Sequence, residues 1–192
     1  QNDAIVPKAI SKISASPEKL KVVLMPSKPQ CRLDLERMFA SCRLISELNG
    51  IDAVIKPHTR THKVDQFGSY PLPDVSHVLT ADLCGWADVL LVVGSSVMTE
   101  ALMRGKPALY LKYLHDNTTL FEELGACWII HNEAELKEAL LSLHTDITQV
   151  PYEENNIAKF ISTIVHGGAA NSDVLDAYKK FIVGCASNTL RQ

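Results

Sequence analysis

Short apolar runs and helical repeats alternate along most of this chain. Lys21-Val-Val-Leu-Met25 is a β-branched apolar run stopped by Pro26, the pattern of a strand covered on both faces. Leu33, Leu35, Met38, Phe39, Cys42, Ile45 and Leu48 then recur at helical spacing, and Asn49-Gly50 supplies the stop. Ile51 to Lys56, ended by Pro57, reads as a second strand, and Val75 to Thr80 as a third. Ala81 to Ala87 is long enough for one or two helical turns. Asp88-Val-Leu-Leu-Val-Val93 is a nearly uninterrupted Val/Leu run, which a fully covered strand requires. A helix from Ser96 to Arg104 follows, stopped by Gly105. Beyond it come a strand at Pro107–Leu111, a helix at Thr118–Leu124, a strand at Cys127–Ile130 and an amphipathic helix at Glu133–Leu143. Two more helices, near 153–165 and 172–183, are separated by Gly167-Gly168.

This alternation predicts an α/β, Rossmann-like three-layer domain with a mostly parallel sheet of about six strands and helices on both faces. Residues 1–20 read as a linker, 21–150 as the sheet domain, and 151–192 as C-terminal helices packing on the same domain. The loop from His58 to Asp74 is long and polar, and loops of that length in compact domains often carry function.

Composition narrows the classes. The 192 residues are 46% hydrophobic and 21% charged, ordinary for a globular protein. A formal net charge of −3 argues against nucleic acid as a partner. Runs such as Val89–Val93 are too short to cross a bilayer, and the first twenty residues lack the apolar core of a signal peptide. The five cysteines are scattered, odd in number and without a C-x-x-C pair, which fits reduced cytoplasmic thiols better than disulfides or zinc. A start at Gln1-Asn2-Asp3 suggests a domain cut from a longer protein, with part of a site elsewhere.

Candidate chemistry gathers at predicted strand ends. In Val93-Gly94-Ser95-Ser96-Val97 a buried strand runs through a glycine into a helix. The first helical N–H groups lack intrahelical partners, Gly94 permits close backbone approach, and two hydroxyls are added. Together these suit a phosphate or pyrophosphate. The plainer reading is an N-cap by Ser95 or Ser96. Glu100, about one turn further, is placed to accept bonds from ribose hydroxyls.

A second edge, Lys56-Pro57-His58-Thr59-Arg60-Thr61-His62-Lys63, combines cations with His58, a candidate acid or base near neutral pH. A solvated polar loop is the alternative there. Ser27 and Lys28, after the first strand, are further candidates to face the ligand, with a plain βα loop as the safer reading. His115 and Asp116 follow another strand on that edge, where capping explains them equally well. His58 and His62 lack a third ligand at metal-binding spacing, so no metal is expected. Neither G-x-x-x-x-G-K-[ST] nor G-x-G-x-x-G occurs, which counts against a P-loop ATPase and a dinucleotide dehydrogenase.

The stretch from Asp88 to Tyr110 resembles the donor-nucleotide segment of GT-B glycosyltransferases, in its Asp, apolar strand, Ser-Ser, Glu-Ala and Gly-Lys-Pro. Within that class it is most similar to glycerophosphotransferases that use CDP-glycerol and to neighbouring bacterial surface-polysaccharide enzymes. Met25-Pro-Ser-Lys28 and Ile55-Lys-Pro-His58 resemble two further segments of the group, in the same order. The resemblance implies the C-terminal, Rossmann-like half of a two-domain enzyme that holds a nucleotide-diphosphate-linked donor. It implies Ser95 and Ser96 at the phosphates, Glu100 at the ribose and His58 beside the donor phosphates. Those glycerophosphotransferases commonly carry Asp where this chain has Glu100, a departure towards sugar-nucleotide enzymes.

The implied activity is transfer of a glycosyl or glycerophosphoryl group in cell-surface polysaccharide or teichoic-acid-like synthesis. The donor is a substrate, and no separate cofactor is expected. The acceptor-binding N-terminal domain would lie outside this chain, leaving the isolated domain with little activity. Location would be cytoplasmic, with peripheral contact at the inner membrane face made through the full-length protein. The alternatives are a UDP-N-acetylglucosamine 2-epimerase-like enzyme and a non-catalytic nucleotide-binding module.

Overall fold

A computed structural model describes residues 19–27, 32–58, 69–167 and 174–189. Five parallel strands form one sheet: β1 (Leu20–Met25), β2 (Ile51–Ile55), β3 (Val89–Val92), β4 (Ala108–Leu111) and β5 (Trp128–Ile130), in the order β2-β1-β3-β4-β5. Between them run α1 (Leu35–Ser46), α2 (Thr80–Trp86), α3 (Val97–Met103) and the single-turn α4 (Leu120–Glu123). The helices α5 (Glu133–Thr145), α6 (Glu154–His166) and α7 (Val174–Thr189) follow β5.

The apolar runs become strands because both faces of the sheet are covered. Val89 through Val93 are all fully buried. Their side chains alternate between two cores, as the period of two requires. Val22, Leu24, Leu91, Leu109 and Leu111 point into one, shared with Met38, Phe39, Cys42 and Ile45 of α1 and Leu136, Leu140 and Leu143 of α5. Val23, Met25, Leu90, Val92 and Tyr110 point into the other, shared with Leu83, Met98, Leu102, Phe121 and Phe160. Each fully buried side chain of this size contributes about 1.5–3 kcal/mol, so the local pattern and the global packing favour the same conformation.

Two clamps set the helices on the sheet. Asp34 caps α1, its Oδ1 accepting the Arg37 N–H at 3.0 Å, while the Arg37 guanidinium donates to both oxygens of Glu133 at 3.2 Å. That pair ties α1 to the start of α5. On the other face, Tyr152 Oη accepts the Ala108 N–H at 3.1 Å and Asn156 Nδ2 donates to Gly125 O at 3.3 Å, which seats α6 against β4 and the turn after α4. In α7, by contrast, Tyr178, Phe181, Ile182 and Val183 are exposed. No helix among the described residues is long and apolar enough to cross a membrane.

The sheet has five strands rather than the expected six. Val75 to Thr80 is not a strand: one isolated bridge, Ile55 to Asp74, precedes it, and the chain then turns. The reason is its spacing. Val75 and Val78 are the buried positions, 1% and 3% exposed, and the interval of three is that of a turn, closed by Val78 N–H on Val75 O at 2.9 Å. Asp74 Oδ1 accepts the Ser76 N–H at 2.8 Å and holds the bend.

Candidate functional site

The chain passes from β1 outward to β2 and then back across β1 to β3. The loops after β1 and β3 therefore depart in opposite directions, which opens a crevice at their carboxyl ends. A cleft of about 230 Å³ occupies that crevice, lined by Met25, Pro26, Lys56, Pro57, His58, Thr80, Ser95, Ser96 and Val97. Four segments of the sequence meet there. The β1 and β3 edges are joined by Val93 N–H on Met25 O at 3.4 Å, and β1 and β2 by Lys56 N–H on Leu24 O at 2.9 Å.

Gly94 turns the chain from β3 with φ +56, a left-handed conformation that strains any residue with a Cβ. The Ser95 and Ser96 amides precede α3 and so have no intrahelical acceptor. Ser95 Oγ accepts the Val97 N–H at a long 3.4 Å, and Ser96 makes no side-chain cap bond. The N-cap reading thus accounts for Ser95 in part and for Ser96 not at all. Helix α3 has only seven residues, so attraction for an anion at this turn falls chiefly on the amides and hydroxyls.

Lys56 is the lone lysine or arginine among the described residues lining the cleft, and its ammonium is engaged. It donates to Ser76 O at 3.0 Å and Val78 O at 2.6 Å, pinning the 74–79 turn over the end of β2. Burial lowers its pKa, with the Asp74 carboxylate opposing. The same turn delivers Thr80 to the cleft wall, a residue the sequence reading passed over. The three-residue spacing of Val75 and Val78 was the available signal. His58 is half-buried and belongs to the same lining.

Other expected residues fall elsewhere. Ser27 is buried at 8% exposure, and its Oγ has no hydrogen-bond partner among the described residues, although it is not one of the lining residues. Glu100 is on α3 outside the lining, with Oε1 accepting Arg104 Nη2 at 2.9 Å. Lys28 and Arg60 lie outside the described residues. Among the described residues no group of three or more His, Cys, Asp or Glu is arranged to hold a metal.

No family model matches this sequence, and no curated protein matches it. Solved structures do. A Listeria monocytogenes protein designated a UDP-N-acetylglucosamine 2-epimerase superposes with a TM-score of 0.56 at 18% identity, over 90% of this chain and 50% of that one. The MnaA–UDP complex of S. aureus gives 0.55 at 18% identity, over 86% of this chain and 49% of that one. The wall teichoic acid polymerase TagF, soaked with CDPG, gives 0.51 at 17% identity, over 97% of this chain and 47% of that one. This chain spans about half the length of each of these structures. The fold is therefore the Rossmann-like α/β fold shared by GT-B glycosyltransferases and UDP-N-acetylglucosamine 2-epimerases.

Proposed function

We propose that this chain is the donor-binding half of a GT-B-type transferase that moves a glycosyl or glycerophosphoryl group from a nucleotide diphosphate during cell-surface polymer synthesis. The observation that carries the reading is the meeting of Pro26, His58 and Ser95–Val97 in one cleft at the strand-order reversal. At about 230 Å³ the cleft is smaller than the roughly 300–1,000 Å³ usual for small-molecule sites, as expected if a second domain supplies the remaining walls. Seated there, the diphosphate takes hydrogen bonds from the Ser95 and Ser96 amides and hydroxyls. These stabilise the negative charge that grows on the nucleotide as its bond to the transferred group breaks. The His58 imidazole, which lines the same cleft, contacts the donor phosphates. Glu100 reaches the ribose once its bridge to Arg104 opens, and the acceptor groups come from the second domain.

A UDP-N-acetylglucosamine 2-epimerase-like activity uses the same cleft, and it is favoured by the epimerase structure and the MnaA–UDP complex among the neighbours. Calorimetry with UDP, CDP and ADP tests the shared premise. Binding that falls about tenfold or more in Ser95→Ala/Ser96→Ala, a loss of about 1.4 kcal/mol, supports it. Binding unchanged in that variant refutes the site. Glu100→Gln should weaken UDP and leave inorganic pyrophosphate unaffected. Incubating the longer natural protein with UDP-N-acetylglucosamine and identifying the product separates the transferase from the epimerase.

A further inference from the structure

A methyl group built on the Gly94 Cα would lie 3.3 Å from His115 Nε2 and 3.6 Å from Cε1, so this imidazole lies against the turn that follows β3. His115 is in the loop after β4, only 6% exposed, and both ring nitrogens are engaged. Nδ1 accepts the Asn117 backbone N–H at 3.0 Å. An amide nitrogen can only donate, so Nδ1 is unprotonated and the neutral ring carries its proton on Nε2. That N–H donates to Tyr110 Oη at 3.0 Å, and the phenol donates in turn to Asn117 O at 3.0 Å. Burial pushes Tyr110 up to about 12, so it remains a phenol throughout. Lys112 Nζ closes the loop, donating to Asn117 O at 2.8 Å and to Glu122 at 3.0 Å.

We propose that His115 is a positioning residue for the cleft: its neutral ring holds the Gly94–Ser96 turn in its ligand-receiving form, and protonation releases that turn. The identity of the released ligand rests on the nucleotide reading above; the coupling of ring to turn does not. A proton on Nδ1 would face the Asn117 N–H, donor against donor, and the ring or its loop must move. Either movement takes away the buried ring that flanks one side of the otherwise exposed Gly94. The groups around the ring are Lys112, which opposes the charged form, Glu122 and Asp116, which favour it, and the neutral Tyr110. Burial is the largest influence and keeps the ring neutral to lower pH than usual.

The test is a pH titration of backbone amide signals in the 15N-labelled chain, in wild type, His115→Asn and His58→Gln. Asparagine keeps a short side-chain acceptor for the Asn117 amide and does not titrate. The Gly94, Ser95, Ser96 and Asn117 amides should shift together below about pH 6.5 in wild type and His58→Gln, and stay still in His115→Asn. Relative to His115→Asn, wild-type affinity for UDP should fall about three- to tenfold over that range, the worth of one net hydrogen bond. Titration of the UDP phosphates cancels in this comparison. The proposal is overturned if the turn titrates alike with and without His115, if it follows His58, or if UDP binds more tightly on acidification relative to His115→Asn. Should His115→Asn unfold, the wild-type imidazole Cε1–H signal gives the ring's midpoint directly. A match to the Gly94–Ser96 amides supports the coupling, and a separation beyond about half a pH unit refutes it. If the amides behave as expected but neither UDP nor CDP binds at any pH, the coupling stands and the nucleotide reading fails.

Discussion

Replacing Gly94 and Gly105 in turn by alanine separates backbone strain from contact with His115. Both glycines are left-handed, at φ +56 and +64. Alanine there costs about 1–2 kcal/mol, and the gain from a stiffer unfolded chain is the same at both sites. The surroundings differ. Nothing lies within 4 Å of a Cβ at Gly105, whereas one at Gly94 meets His115 Nε2 at 3.3 Å. That ring cannot yield freely, because it is held at 3.0 Å by Tyr110 Oη and at 3.0 Å by the Asn117 amide. Disturbing one such bond costs about 0.5–1.5 kcal/mol. Gly94→Ala should therefore lose about 1.5–3.5 kcal/mol and Gly105→Ala about 1–2 kcal/mol, read from urea unfolding at constant m. In Tm the gap is a few degrees, at about 2–4 °C per kcal/mol for a domain of this size. UDP binding should weaken in Gly94→Ala alone. Equal destabilisation of the two variants, with equal binding, would refute the packing of His115 against the turn.

Lys56→Met removes both bonds to the 74–79 turn and should cost about 1–3 kcal/mol in urea unfolding, with less than about 0.5 kcal/mol showing that the ammonium does not pin it. The Arg37 guanidinium holds the Glu133 carboxyl below its ordinary value, so that contribution to stability is present above about pH 4.5 and is lost as pH falls through the lower folded value. Glu133→Gln should accordingly cost a few tenths of a kcal/mol at about pH 7 and progressively less as pH falls below about 4.5; a penalty independent of pH contradicts the assignment. Burial pushes the Cys42, Cys84 and Cys127 thiols up to about 12, 11 and 12. Under native conditions at about pH 8 these three should react with a thiol reagent only as fast as the protein opens, and faster labelling in peptide maps would show them accessible.

The strand–helix alternation was legible because hydrophobic periodicity is a local property. Val89–Val93 reads as a doubly covered strand, and the helix of Leu35 to Ile45 shows its buried stripe. Val75–Thr80 reads as a strand only if the spacing of its buried valines is ignored, because the interval of three between Val75 and Val78 describes a turn. The Gly94-Ser95-Ser96 turn was also legible, since a glycine between a buried strand and a helix signals close approach whatever surrounds it. The tertiary structure decided what that turn faces. Only the order β2-β1-β3 brings Pro26 and His58 to it, and strand order follows from pairing between segments distant in the chain. It also turned the Lys56 charge onto the Ser76 and Val78 carbonyls, bonded Glu100 to Arg104, and set His115 against Gly94. A side chain's partners depend on which backbone groups packing leaves within its reach, and no local pattern of apolar and polar residues records that.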